Sequence, residues 1–332
     1  MTFIKTETVT DCPVCGSKKN VFWSTASDLL MQVSNQSFEY SRCNECSSLY
    51  MSLRPIEQDI EVFYSSNYHP YNHSNESKSS VELNIWSRCK LKLKAIVRAF
   101  VNSKVGCVLK GYLYFDITKY YNQLDHKKVF VDFGCGAGKT LDKLRLQGSR
   151  TVGVDFSPVA VATIKKNNHE AYLVDDFWVN FLDESADFVR MNHVVEHLYQ
   201  PHNVLNKLAK KIKSKGVLHI AVPNPDGISS LVFKNNWHGL DCPRHVILYP
   251  PNTLKQVLEK QGFKNFKVIH ETITKDFVRS IGYWLASKGY CNLEKVNDLM
   301  HIKWLAVIFW IPAKFAAIAG RADRFHIVCY KK

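Results

Sequence analysis

The chain has 332 residues, 46% of them hydrophobic, which suits one full α/β domain plus a smaller module and excludes a disordered or fibrous chain. Lys plus Arg outnumber Asp plus Glu by 44 to 30, a formal charge of +14, so an anionic partner is favoured: a nucleotide-sugar, a lipid phosphate, a membrane surface or nucleic acid. The ten cysteines come with a polar segment 1–11 that holds no apolar signal core, so a disulfide framework is not expected and a reducing cytoplasm is the natural compartment.

Residues 1–55 are dominated by two cysteine pairs, Cys12-Pro-Val-Cys15-Gly and Cys43-Asn-Glu-Cys46. Four thiolates in two C-x2-C pairs are expected to make a tetrahedral structural zinc site, whose metal supplies the folding energy that so small a module lacks. Cys89, Cys107, Cys135, Cys242, Cys291 and Cys329 show no such spacing and are expected to be buried or free. Residues 56–126 read as a helical linker or cap. Within them Phe63, Tyr64, Tyr68 and Tyr71 form an aromatic patch before the polar run 72–80. Tyr64 and Tyr68 carry two readings: closure over a cofactor, or packing between module and sheet. In 85–104, Leu93, Ile96, Val97, Phe100 and Val101 fall at helical spacing among Arg88, Lys90, Lys94 and Arg98, which predicts a basic amphipathic helix.

From residue 127 onward, short β-rich runs alternate with helix-like segments. Strands are expected at 129–133, 151–155, 171–174, 187–191 and 217–222, with two more at 266–270 and 325–330. The alternation predicts a Rossmann-like parallel sheet with helices on both faces, with an insertion at about 271–324. The apolar run 304–319 lies inside that insertion. Pro312 and Lys314 interrupt it, and it falls short of the roughly 20 apolar residues that span a bilayer, so no transmembrane helix is expected.

The first strand runs into Phe133-Gly134-Cys-Gly136-Ala-Gly138. Glycines there let the backbone approach a ligand, and the helix that follows offers free N–H groups. The G-x-G-x-G spacing departs from the dinucleotide G-x-G-x-x-G pattern, and Asp132 sits two residues before the first glycine. A carboxylate there suits the cationic methionyl end of S-adenosylmethionine and would repel a pyrophosphate. About twenty residues on, Asp155 ends the second strand, followed by Phe156, and can accept from both ribose hydroxyls. Asp175 or Asp176, after the third strand, could accept from the adenine amino group.

These segments, V-D-F-G-C-G-A-G, V-D-F-S and M-N-H-V-V-E-H-L after the fourth strand, resemble the class I S-adenosylmethionine-dependent methyltransferase superfamily over roughly residues 127–270. The resemblance implies methyl transfer and leaves the acceptor open. The Asn-Pro-Pro-aromatic tetrad of base-amino methyltransferases is absent after the fourth strand, where His193, Glu196 and His197 stand as catalytic candidates. The segment Trp237-His-Gly-Leu-Asp241-Cys-Pro-Arg244-His245, followed by a helix and Gly262-Phe263, is similar to the histidine segment of sugar C-methyltransferases and of methyltransferases of surface-polysaccharide biosynthesis. Those sugar enzymes also carry a four-cysteine zinc module. That resemblance implies His245 as general base, although Arg244 replaces the usual glutamate of the Glu-His pair. Ubiquinone-pathway and small-RNA O-methyltransferases instead use Glu-x-x-Glu-His as a metal site. By that resemblance His193, Glu196, His197 and His245 would hold a divalent cation, a softer one than Mg²⁺ because His193 replaces the first glutamate.

The expectation is therefore methylation of a sugar, as a nucleotide-sugar or lipid-linked intermediate, with oxygen slightly favoured over carbon. A zinc-ribbon RNA methyltransferase is the first rival. Basic residues gather beside apolar ones rather than alternating with stacking aromatics, which weighs against nucleic acid. The second rival, a non-catalytic binding module, would be expected to lose Asp132, a motif glycine or Asp155. The basic helix and the run 304–320, with Trp304 and Trp310, suit peripheral membrane association; the alternative is a core or homodimer helix.

Overall fold

The computed structural model describes residues 4–64, 128–145, 148–294, 296, 305 and 308–332. The expected basic helix at 85–104, with Tyr68 and Tyr71, lies outside the described residues. The described module and sheet belong to one compact unit, 1–71 with 124–332.

The N-terminal module is an antiparallel sheet of β1 (Thr6–Thr8), β2 (Asn20–Ala26), β3 (Phe38–Cys43) and β4 (Leu49–Pro55), in the order β1-β4-β3-β2. The larger domain begins with β5 (Val129–Phe133), α1 (Lys139–Arg145), β6 (Arg150–Asp155), α2 (Pro158–Lys166), β7 (Glu170–Leu173) and α3 (Val174–Asn180). It continues through β8 (Ala186–Asn192), α4 (Pro201–Lys211), β9 (Ile212–Pro223), α5 (Ile228–Phe233), β10 (Ile247–Leu248) and α6 (Pro251–Lys260). The chain ends with β11 (Phe263–Glu271), α7 (Thr274–Ser287), α8 (Trp310–Ile318) and β12 (Arg324–Lys331).

The seven-stranded sheet has the order β11-β12-β9-β8-β5-β6-β7. β5 to β9 run parallel, while β12 is antiparallel to both of its neighbours. All seven strand expectations fall on strands of this sheet. β5 is buried along its whole length, as expected of a parallel strand covered on both faces and therefore apolar without alternation. β6 lies on one side of β5 and β8 on the other. The strand order thus reverses at β5, and the crevice beyond the carboxyl ends of β5 and β8 is where ligands bind in open α/β sheets.

Val131, Phe133, Val189, Met191 and Ile220 form one core with Leu205 and Leu208 of α4, Leu254 and Leu258 of α6, and Cys12, Val14, Cys43 and Tyr50 of the module. β10 pairs with β4, Ile247 opposite Tyr50 and Leu248 opposite Leu49. The larger domain therefore lends a strand to the module's sheet. The expected insertion corresponds to α7 and α8 between β11 and β12. Among the described residues no helix is long and apolar enough to cross a membrane.

Candidate active site

The glycine turn after β5 is shaped by backbone geometry that other residues adopt with difficulty. Gly134, Gly136 and Gly138 have φ of +77°, +51° and +78°, the left-handed region open to glycine at no steric cost. A Cβ on Gly134 would also sit 2.3 Å from Cγ2 of Val194, so the turn packs directly against the segment after β8. Asp155, 5% exposed at the end of β6, accepts from Gly136 N at 2.8 Å and from Ser157 N at 2.9 Å. Burial pushes its carboxyl up, and the backbone N–H groups pull it back. Phe156 is 55% exposed and stands edge-on to Phe133, leaving its ring free to meet a nucleoside.

Three expected cofactor carboxylates, Asp132, Asp175 and Asp176, differ in their surroundings. Asp132 is buried, and Nη1 of Arg190 on β8 donates to both of its oxygens at 2.9 and 3.0 Å. A cation from the chain itself already meets this carboxylate. Asp175 and Asp176 lie in the first turn of α3, both exposed.

The four candidate catalytic residues are brought in from separate segments. β8 ends at Asn192, and His193 follows with φ +55°, held by its N–H to Ala221 O at 2.9 Å. Nδ1 of His193 lies 2.9 Å from Oε1 of Glu196, which places His193 behind the carboxylate as its orienting partner. Glu196 is fully buried, and its Oε2 has no hydrogen-bond partner among the described residues. Burial alone would raise this carboxyl, but the hydrogen bond to His193 and the facing histidines hold it at about 2.

Nδ1 of His245 donates to Gly239 O at 2.8 Å. Nδ1 of His197 faces Arg244 O at 2.9 Å and the Tyr64 hydroxyl at 2.9 Å. A carbonyl can only accept, so both rings carry the proton on Nδ1 and present a lone pair on Nε2. The two rings are 4.6 Å apart. Nε2 of His245 is 3.9 Å from Glu196 Oε1 and 3.8 Å from Asp241 Oδ2. Burial, with the neighbouring His245, depresses His197 to about 4. Glu196, His197 and His245 each place a potential ligand atom within 4.8 Å of the others. The structure thus brings together three of the four expected residues as a donor set.

Sequence reasoning missed how Arg244 serves this centre. Its side chain is fully buried, with Nη2 donating to Asp241 Oδ1 at 2.7 Å and to Asp28 Oδ1 at 2.9 Å. The carboxylates near His245 come from Glu196 and Asp241, not from the preceding residue. The i, i+3 spacing of Asp241 and Arg244 was the only local signal.

In the module, Cys12 and Cys46 sulfurs are 3.6 Å apart and Cys15 and Cys43 sulfurs 3.5 Å. A tetrahedral zinc with Zn–S bonds of about 2.3 Å separates its sulfurs by roughly 3.8 Å, so the cluster is compatible with that ion. Both pairs use the same turn, with Gly16 at φ +74° and Ser47 at φ +60°. Cys12 N donates to Ser17 O and Cys43 N to Ser48 O.

Residues 110–268 match a family described as a methyltransferase domain. The tRNA U34 carboxymethyltransferase of Aliarcobacter butzleri is 28% identical over 189 residues, 55% of this chain and 62% of that protein. The mitochondrial ubiquinone biosynthesis O-methyltransferase of Schizosaccharomyces pombe is 25% identical over 167 residues, 47% of this chain and 58% of that protein. The chain therefore spans about three-fifths of the length of these curated relatives. Among solved structures, a SAM-dependent methyltransferase from Archaeoglobus fulgidus aligns with a TM-score of 0.44 at 21% identity, covering 75% of this chain and 100% of that one. The glycine turn, the carboxylate at the end of β6 and the methyltransferase-domain match over residues 110–268 together support a class I S-adenosylmethionine-dependent methyltransferase.

Proposed function

We propose that this protein transfers the methyl group of S-adenosylmethionine to a hydroxyl oxygen of a sugar, presented as a nucleotide-sugar or a lipid-linked intermediate. The observation that carries the reading is the convergence of Glu196, His197 and His245 on the crevice beside the glycine turn. The sulfonium is already a good leaving group, so the protein has to align the acceptor and handle its proton. As the acceptor oxygen forms its bond to the methyl carbon, the carbon–sulfur bond breaks and its electron pair stays on sulfur. The hydroxyl proton passes to Nε2 of His245, where Glu196 and Asp241 face the imidazolium. Support for oxygen comes from the names of the ubiquinone-pathway relatives. Support for a sugar comes from the 237–263 segment and the cysteine module.

The partnerless Oε2 of Glu196 favours a second role for the same residues. With the two imidazole Nε2 atoms it fits a divalent cation of the softer kind. Bound there, such an ion would supply Lewis-acid polarisation of the acceptor hydroxyl. The four cysteines, in this reading, hold a structural Zn²⁺.

Incubation with methyl-labelled S-adenosylmethionine and a panel of nucleotide-sugars, catechols and tRNA tests the assignment. Label in the sugar fraction is the expected outcome, and label confined to catechol or tRNA would refute it. Metal analysis is expected to return one zinc that survives Glu196→Gln. A second ion lost in that variant would establish the cation reading.

A lipid-linked acceptor is favoured by α8, where Trp310, Ile311, Phe315 and Ile318 are each 50–68% exposed. They adjoin a cavity of about 80 Å³ lined by Ile228, Phe277, Pro312 and Ala316. Flotation with anionic vesicles, retained at physiological salt, is the result this reading expects. A soluble dimer that stays at the bottom of the gradient would remove it.

A further inference from the structure

The groups that fix the backbone of His245 come from the cysteine module, some 200 residues away in sequence. Tyr40, fully buried on β3, donates its hydroxyl proton to the carbonyl of His245 at 3.0 Å. Met51 N, on β4, donates to the next carbonyl, Val246 O, at 2.9 Å. Asp28, just past β2, takes Arg244 Nη2 at 2.9 Å. Its own carboxylate is locked by Met31 N at 3.1 Å and Val33 N at 3.0 Å. Residues 244, 245 and 246 are thus each gripped from the module side. From the opposite side, Val246 N donates to Glu196 O at 2.8 Å and Arg244 O accepts from His197. The strands that do the gripping are joined through the second cysteine pair, since β3 ends at Cys43 and β4 begins at Leu49.

We propose that the cysteine module is a positioning element of the reacting centre, with Tyr40 and Asp28 as positioning residues that set where Nε2 of His245 stands. The proposal rests on the reading of His245 as the proton acceptor. A purely structural module would need to bury its own core. It would have no need to direct a buried tyrosine hydroxyl and a buried carboxylate at two successive residues of a histidine segment in another domain. Fixing those residues has a large effect, because misplacing a reacting group by about 1 Å costs on the order of 10²-fold in rate.

The test uses full-length, zinc-loaded Tyr40→Phe and Asp28→Asn proteins, with zinc content, S-adenosylmethionine affinity, turnover and histidine ¹⁵N NMR read on the same samples. The expected result is unchanged zinc and cofactor affinity within about twofold, with turnover lowered at least about tenfold. The His245 imidazole signal should shift. His169, just before β7 and bonded to Thr151 and Asp142, should not. Tyr40→Phe removes a single hydroxyl, so it decides the matter even if Asp28→Asn fails to fold. An unmoved His245 signal in Tyr40→Phe would overturn the proposal. The NMR arm is independent of methyl transfer, so a failure of the proposed activity would leave this test standing.

Discussion

The two sides of the crevice are built in opposite ways. On the cofactor side, the turn, the carboxylate and the aromatic ring all lie within residues 132–157, and their contacts join neighbours in the chain, as when Gly136 and Ser157 donate to Asp155. On the reacting side, Glu196, His197 and His245 are held by Tyr64, Gly239, Arg244, Asp28 and Tyr40. In the proposed reading, a local constellation sets affinity for a common cofactor. A constellation drawn from distant segments can change its acceptor without disturbing the cofactor turn. Changes on the first side should therefore move S-adenosylmethionine affinity, and changes on the second should move turnover alone.

The largest effect on the cofactor side is expected from Gly134→Ala. Left-handed backbone costs a non-glycine residue about 1–2 kcal/mol, and the clash with Val194 adds roughly 1–3 kcal/mol of overpacking. Chemical denaturation should show a loss of about 2–5 kcal/mol, together with weaker cofactor binding. A variant as stable as the parent would mean that the turn is not pinned as described.

Asp155→Ala comes next. Calorimetry should show S-adenosylmethionine bound at least about tenfold more weakly, roughly 1.4 kcal/mol, the scale of lost hydrogen bonds to a charged group. Unchanged affinity would break the division between the two sides.

The third effect concerns pH. His238, beside the reacting centre, accepts from Arg279 Nη1 through Nε2 at 2.8 Å, and burial depresses it from 6.5 to about 3. Between those values the unfolded chain binds a proton that the folded chain refuses. The histidine's share of stability is therefore complete above pH 6.5 and falls as the pH drops, by at most about 1.4 kcal/mol per unit. Asp323 works in the opposite sense. Burial lifts its carboxyl from 3.8 to about 7, so its contribution is lost as the pH rises through that range. The difference between wild type and His238→Gln, followed by denaturation from pH 7 to pH 4, isolates the histidine. Parallel curves would show that His238 is not held neutral by the fold.

Much of the architecture was legible because parallel strands buried on both faces write themselves as short apolar runs. The glycine turn was legible because its spacing and Asp155 sit on consecutive strands. What sequence could not supply were contacts made by topology. Asp132 and Arg190 meet only because β5 and β8 are neighbours across the reversal in strand order. Asp28 and Arg244, 216 positions apart, meet only because β10 joins the module's sheet. Asp175 and Asp176 follow the third strand as expected, and what the sequence did not show is that they stand exposed in the first turn of α3. The role of Arg244 was hidden for the same reason. Read alone it is a departure from a Glu-His pair, and only the fold shows that two other carboxylates approach His245.

The central claim is that proton handling belongs to His245 and cofactor binding to the opposite side of the crevice. It is tested most directly by measuring turnover and S-adenosylmethionine affinity for His245→Gln in one preparation. The account predicts a fall in turnover of about 10²- to 10⁴-fold, the range of general-base catalysis, with cofactor affinity within about twofold of wild type. Turnover close to wild type, or a matching collapse in cofactor affinity, would contradict it.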